Sequence, residues 1–578
     1  MSLRRSALLL ALLWFGAAIL FFLYNSIDVV LRFAPHALYA DQWRQYLNYL
    51  NAPFPQNIWL PDNGHRSLLP NLVAWIEIQW FGGSQWLQIA VGLLCGLGAS
   101  ATAAWICLRD RDVPILYRTA AAFLCFFAIF WLANVRTLFH STELIHTKLP
   151  MACLMFALAL CIHATRSAAR SLPPLIVALA LGFAATFSFG YGLSVFIGAF
   201  AVLAARKASR RQFVVCAGAL LLAAALYLGS PGSSGVTASM DFAPLDNLLV
   251  GARWLGAPFV TLFTYLWNPD AVGLVRADLA HNIVSRIAGA AASHGIDLRV
   301  SVMPQALFGS LGMLALVFAS LRRLRARDAS PPMEAMGLGI AWFSLGAAGI
   351  ISVSRLGYFQ IHPDQIYADR YLCWPCLFWL GLALVGLSRA SRGRSTSGGS
   401  VHQRSWIATS ILVFTFTLPL LAWPTQLGGS IYAALVRGHV DNMATGSIVG
   451  VFDRNKDLGE TLSEEYVRGT PIFAQRRIAQ FADPVVDLIG TTLPPGKKTV
   501  DDVAIETQPV VDNLLGEPGT AVVLRTSQTM PEDRFLLIDG DRRIVGFVER
   551  DARVQPAGYS GYARGARESG ELKASLPP

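Results

Sequence analysis

The sequence predicts a polytopic α-helical membrane protein with about 11 transmembrane helices and a C-terminal soluble domain of α+β or β-rich type. Three observations carry this. Of 578 residues, 54% are hydrophobic and only 15% charged, against roughly 25% charged in ordinary globular domains. Apolar runs of about 20 residues recur, the length at which a helix rising about 1.5 Å per residue crosses a hydrocarbon layer about 30 Å thick. The connections between runs alternate between short basic stretches and longer mixed ones, as the positive-inside rule requires.

The runs fall at 6–28, 84–108, 115–134, 149–164, 172–188, 190–206, 212–229, 304–321, 335–353, 371–388 and 405–424. The first follows Arg4 and Arg5 and is long for the apolar core of a signal peptide, so it reads as an uncleaved span. With those arginines inside, the inner connections carry Arg109/Arg111/Arg118, Arg166/Arg170, Arg206/Lys207/Arg210/Arg211, Arg322/Arg323/Arg325/Arg327 and Arg389/Arg392/Arg394/Arg404. The outer side then receives 29–83, 135–148, 230–303, 354–370 and the C-terminus. Residues 67–82 and 246–268 are apolar but break the alternation, and they read as interfacial or re-entrant helices.

Past Trp423 no further Trp or Cys occurs, and residues 425–578 read as the soluble domain after a 1–424 membrane module. Leu458–Tyr466 and Pro471–Phe481 look helical. Ala521–Arg525, Arg534–Ile538 and Ile544–Glu549 alternate as strands, with Asp539-Gly540 as a hairpin turn. The Gly/Ala/Ser-rich tail after Gly558 reads as loose at its end.

Composition also excludes functions. The net charge of +10 sits in the short connections and not on one patch, so nucleic acid is not a partner. No P-loop, Rossmann or thiolate-metal motif occurs. Cys373-Trp374-Pro375-Cys376 has redox spacing but opens an apolar span without a thioredoxin pattern, so helix packing is the better reading.

Three outer segments could carry chemistry. In the first, Asp41 and Arg44 share a helix face, Trp43 and Tyr46 suit the membrane interface, and a turn at 59–66 delivers His65 and Arg66. In the second, His140, Glu143 and His146 spread over about 120° of helix, a poorer metal set than His-Glu-x-x-His. They line a polar cavity, or with Asp41 they hold a divalent metal. The third places Arg355, Arg370 and Tyr371 outside, against the usual charge bias. Either an anionic ligand or pairing with Asp364 and Asp369 accounts for that.

Asp41, the Asn63-Gly64-His65-Arg66 segment, the Ser188-Phe189-Gly190-Tyr191-Gly192-Leu193 turn and Arg355 with Arg370-Tyr371 resemble the GT-C superfamily of integral membrane glycosyltransferases, in layout over most of 1–424. The resemblance implies transfer of a sugar from a polyprenyl-phosphate donor to an envelope glycan, lipid or protein acceptor. The place would be the outer face of a bacterial inner membrane, with membrane lipids as surroundings and the C-terminal domain in the periplasm. Asp41 would be the catalytic base, and Arg44, His65, Arg66, His140, Glu143, His146, Arg355, Arg370 and Tyr371 would bind substrate and phosphate. No cofactor is certain, and a divalent metal is possible on Asp41, Glu143 and His146. The family often pairs two acids in the first loop, whereas Gln42 follows Asp41 here, which favours proton transfer over metal binding. A flippase or transporter, or a polymerase or ligase of lipid-linked saccharides, is the alternative.

Overall fold

Inside hydrocarbon every backbone N–H and C=O must be satisfied within its own segment, so long apolar runs fold as helices. The computed structural model of the chain describes residues 3–62, 64–166, 172–229, 241–266, 268–274, 278–294, 302–392, 401–453, 463–497, 499–500, 503–516, 518–526, 530–554 and 558–577. Helix α1 (Leu3–Phe33) leads to α2 (Gln42–Asn51), the single turn α3 (Gln56–Trp59) and α4 (Leu68–Phe81). Then come α5 (Trp86–Arg109), α6 (Ile115–Phe130), the short α7 (Arg136–Phe139) and α8 (Ser141–Ala164). After α9 (Leu172–Thr186), α10 (Ser194–Ala205) and α11 (Arg210–Gly229) follow α12 (Pro244–Leu262), α13 (Pro269–Leu274) and α14 (Asp278–Ser293). The helical part ends with α15 (Val302–Arg325), α16 (Pro332–Ser354), α17 (Leu356–Ile361), α18 (Asp369–Arg392), α19 (Val401–Leu421) and α20 (Trp423–Val449).

Among the described residues, nine helical stretches are long and apolar enough to cross a membrane. The expected count was higher because 172–188 and 190–206 read as spans. They form α9 and α10 of 15 and 12 residues, about 22 and 18 Å of helix against a core of about 30 Å. The turn between them takes up the difference. A Cβ on Gly192 would lie 2.0 Å from the Ala185 carbonyl oxygen, so only glycine lets this turn fold back onto α9.

The segment 135–148, expected as a loop, is instead α7 and the first two turns of α8. The helix runs through Pro150, and a proline inside a helix leaves the carbonyl four residues back without its donor. Here the Tyr191 hydroxyl donates to that carbonyl, His146 O, at 2.6 Å. The same device recurs at Pro375 in α18, where the Trp254 indole N–H donates to Tyr371 O at 3.1 Å. The helices continue because side chains replace the missing bonds.

Charged side chains separate to the two ends of the bundle. On α18, Arg370 and Arg389 stand 19 residues apart, about 28 Å along a helix. At the Arg389 end, Arg389 Nε bonds Glu334 Oε1 at 2.7 Å, Asp110 Oδ2 accepts from Met333 N at 3.0 Å, and Lys207 Nζ donates to Leu324 O at 3.1 Å. The basic connections therefore gather at one end, as the charge pattern demands. The segment 246–268, expected at the interface, contributes α12, whose Trp254 and Leu255 are buried in the bundle core. On α4 the exposed Trp80 and Phe81 remain available to an interface.

The expected boundary at 424 falls at a helix junction, and the first residues beyond it are α20 rather than a soluble fold. Its charges misled, because Arg437 and Asp441 neutralise one another at i,i+4. Next come α21 (Ser463–Arg476) and the single turn α22 (Val485–Leu488). Of the two helices expected at 458–481, residues 458–462 lie outside the described residues, and Pro471 sits inside α21.

The strands β1 (Thr499–Val500), β2 (Val503–Val510), β3 (Gly519–Thr526), β4 (Arg534–Ile538), β5 (Ile544–Arg550), β6 (Gly558–Arg564) and β7 (Lys573–Ser575) make one sheet in the order β1-β7-β4-β5-β6-β3-β2. All neighbours pair antiparallel. The three expected strands and their hairpin are present, but the tail after Gly558 is not loose. It supplies the interior strand β6, where a Cβ on Gly561 would meet Phe547 O at 2.1 Å. Small residues there mark close backbone approach.

Trp43 and Tyr46 were expected to face the membrane interface. Both are buried, Trp43 against Tyr466 and Phe473 of α21 at 4.5 and 5.4 Å between centroids. One hydrophobic core joins α2 and α4 to Met443, Phe452, Tyr466, Phe473, Leu536 and Phe547. The C-terminal domain thereby clamps the segment that carries Asp41.

Candidate functional site

Asp41 precedes α2 and makes no capping bond. Its Oδ1 pairs with Arg44 Nη1 at 3.0 Å, and the side chain is 53% exposed. The same guanidinium grips Asp62, with Nε to Oδ1 at 2.8 Å and Nη2 to Oδ2 at 3.2 Å, and Gln45 Nε2 adds a bond to Asp62 Oδ2 at 3.2 Å. Burial opposes the charge on Arg44, but the Asp62 and Asp41 carboxylates outweigh it and hold its pKa above the usual arginine value. Asp62 is thus a second acid beside Asp41, delivered by a turn rather than by the adjacent residue. Sequence spacing did not single it out.

Gln42 faces the other way. Fully buried, its Oε1 accepts from Tyr39 N at 2.8 Å. Its Nε2 donates to Gln85 Oε1, Ser141 Oγ and Thr142 Oγ1 at 2.9, 2.8 and 3.1 Å. These bonds pin the turn in which Ala40 adopts φ 51°, a left-handed conformation costly for any residue with a Cβ. The turn puts Asp41 outside while Gln42 locks inside.

Asp62 and His65 exchange backbone bonds, Asp62 N to His65 O at 2.9 Å and His65 N to Asp62 O at 2.8 Å, around Gly64 at φ +77°. Asn63 of this motif lies outside the described residues. The His65 ring stacks on Phe189 at 3.8 Å, and His146 flanks the same phenyl ring at 5.3 Å. Arg355 lies within electrostatic reach of His65, and its side chain makes no hydrogen bond or ion pair among the described residues.

Burial, then Arg355 and His146, lower the His65 pKa from 6.5 to about 3. His65 is therefore a neutral ring at pH 7, able to donate one N–H but not to act as a cation. Between pH 6.5 and about 3 the unfolded chain binds a proton at this position that the folded one refuses, so stability is lost as pH falls through that window. We expect the melting temperature of His65→Phe, relative to wild type, to rise as pH drops from 7 to 5. A difference independent of pH would contradict the buried neutral ring.

The Arg66 guanidinium lies 4.9 Å over the Tyr227 ring of α11.

At the start of α8, Glu143 N donates to His140 Nδ1 at 3.4 Å, and the His140 ring meets Tyr39 edge-on at 5.5 Å. Glu143 Oε1 accepts from Arg136 Nε at 2.8 Å, while Oε2 is buried without a hydrogen-bond partner among the described residues. Asp369 and Arg370 lie within electrostatic reach of both Arg136 and Glu143. Arg370 Nη2 donates to Gln365 Oε1 at 2.8 Å and lies near Tyr358 Oη at 3.4 Å, with its guanidinium 5.1 Å over Tyr371. Asp364 accepts from Gln365 instead of pairing with either arginine. His146 links the groups, within electrostatic reach of Asp62, Glu143 and His140.

The structure brings the three outer segments together at the end of the bundle opposite the basic connections. It adds Asp62 and Arg136, which the sequence reading missed. Among the described residues no three His, Cys, Asp or Glu side chains converge as metal ligands, and of the possible set Asp41, Glu143 and His146 the two acids are held apart by Arg44 and Arg136. Cys373 and Cys376 are buried free thiols within α18, and Asn134 Nδ2 contacts Cys376 Sγ at 3.9 Å. No family model, curated protein or solved structure matches the chain.

Proposed function

We propose that the protein transfers a sugar from a polyprenyl-phosphate donor to an acceptor at the outer face of a bacterial inner membrane, in the manner of the GT-C glycosyltransferases that its motifs resemble. The observation that carries this reading is an exposed carboxylate, Asp41, held by Arg44 beside a second acid. Arg355, Arg136 and Arg370 belong to the same end of an apolar bundle. Asp41 Oδ2 has no partner among the described residues and takes the proton of the acceptor hydroxyl. The acceptor oxygen then attacks the anomeric carbon, the bond from that carbon to the phosphate oxygen breaks, and polyprenyl phosphate leaves with the electron pair. Arginines stabilise the negative charge on that leaving group. Glu143 Oε2, buried with spare acceptor capacity, suits a sugar hydroxyl.

Loss of a positioned general base costs about 10²–10⁴-fold in rate. Asp41→Asn is therefore expected to lower transfer at least about 100-fold and to let the lipid-linked sugar accumulate. The readout is mass spectrometry of envelope glycans and lipid-linked sugars in cells carrying either form. Undiminished transfer by Asp41→Asn would remove the assignment. Sugar reaching the outer face without covalent transfer would favour a flippase.

A further inference from the structure

A cavity of about 1000 Å³ lies between α6, α12, α15, α18 and α19 and reaches the end of the bundle opposite the Asp41 group. Along α18 it runs from Cys376 to Arg389, 13 residues or about 20 Å. Most of its wall is apolar, including Phe259, Phe318, Trp379, Ile407 and Phe414. Phe318 and Ile407 are 67% and 60% exposed, so the cavity opens sideways where hydrocarbon would surround the helices.

Its far end is charged. Arg322, Arg323 and Arg389 line it together with Glu334 and Asp328, three cations against two carboxylates. Arg389 is engaged by Glu334 and by the Ala319 carbonyl. Arg323 is not so satisfied. Its side chain is 6% exposed, Nε and Nη2 are buried without a hydrogen-bond partner among the described residues, and its ion pair with the 70% exposed Asp328 is long at 3.6 Å. A buried guanidinium with unused donors is costly unless an anion completes it.

We propose that this cavity holds one anionic phospholipid, its phosphate against Arg322 and Arg323 and an acyl chain along Phe259, Phe318 and Trp379. Charge complementarity and depth select that occupant. Basic pockets between helices at the cytoplasmic surface bind anionic headgroups, and a length of about 20 Å accommodates the hydrocarbon of one leaflet, about half of a 30 Å core. The volume lies within the range of small-molecule sites. The donor's polyprenyl chain is the competing occupant; on the sugar-transfer reading its phosphate belongs at the other end of α18, and only this exclusion rests on that reading.

The test uses the full-length protein in a neutral detergent. Native mass spectrometry with dioleoyl phosphatidylglycerol, dioleoyl phosphatidylcholine or inorganic phosphate should show at least about tenfold preferential retention of the anionic lipid. Arg323→Gln should abolish that preference. Ala315→Trp, which fills the cavity from its exposed wall with every arginine intact, should abolish retention and guards against misfolding of the arginine variant. Equal retention of both lipids, binding of inorganic phosphate alone in place of lipid, or a polyprenyl phosphate in the cavity would each overturn the proposal.

Discussion

Gln42→Glu is expected to destabilise the protein by about 3 kcal/mol without creating a metal site. The substitution supplies the acid pair that Asp41 lacks in sequence, so a reading by motif alone would expect gained metal dependence. The structure gives the opposite sign. Gln42 Nε2 donates to three acceptors in a buried pocket. A carboxylate there has no N–H to give, and it places an oxygen against Gln85 Oε1. The Ser141 hydroxyl already donates to that same Gln85 oxygen at 2.6 Å, so it cannot serve both. A buried charge follows that keeps the Tyr39 N–H but loses the bonds its amide donated, and the Ala40 turn is held less firmly. Thermal unfolding with and without a millimolar divalent cation is the measurement. A variant as stable as wild type, or one stabilised by metal, would refute the argument.

Legibility in the sequence followed the range of the physics involved. Long apolar runs and basic connections are local properties, and the helices and their two charged ends came through. The start of α8 did not, because His140, Glu143, His146 and Lys148 interrupt the apolar run there, and the helix passes Pro150 with a bond from Tyr191, 41 residues away. Asp41 stood out as an acid beside an arginine one helical turn on. Asp62 lies 18 residues from Arg44 and joins it only through the Asp62–His65 turn, which no periodicity announces. Trp43 and Tyr46 are aromatic on either reading, and only the position of α21 decides that they face protein. The glycines of β6 signalled flexibility by composition, whereas the neighbouring strand makes them a requirement.

The second large effect is expected at Arg136. Its side chain is 9% exposed and that of Glu143 20%, and Asp369 lies within reach of both. Removing one partner of a buried ion pair leaves an uncompensated charge and typically costs about 3–5 kcal/mol. Arg136→Gln should therefore lower stability by about that amount, since Glu143 then loses its hydrogen-bonded guanidinium while the Asp369 carboxylate stays within reach. Arg136→Gln with Glu143→Gln removes both charges and should recover most of the loss, and the double-mutant cycle isolates the pair. Sugar transfer separates structure from function. If Arg136 also meets the leaving phosphate, Arg136→Lys, which leaves Glu143 in place, keeps the charge but only part of the rate, because an ammonium lacks the planar fork. A double variant no more stable than Arg136→Gln would show that Glu143 is not the partner that matters. A stable and fully active one would confine Arg136 to packing, leaving Arg355 and Arg370 as the cations for phosphate.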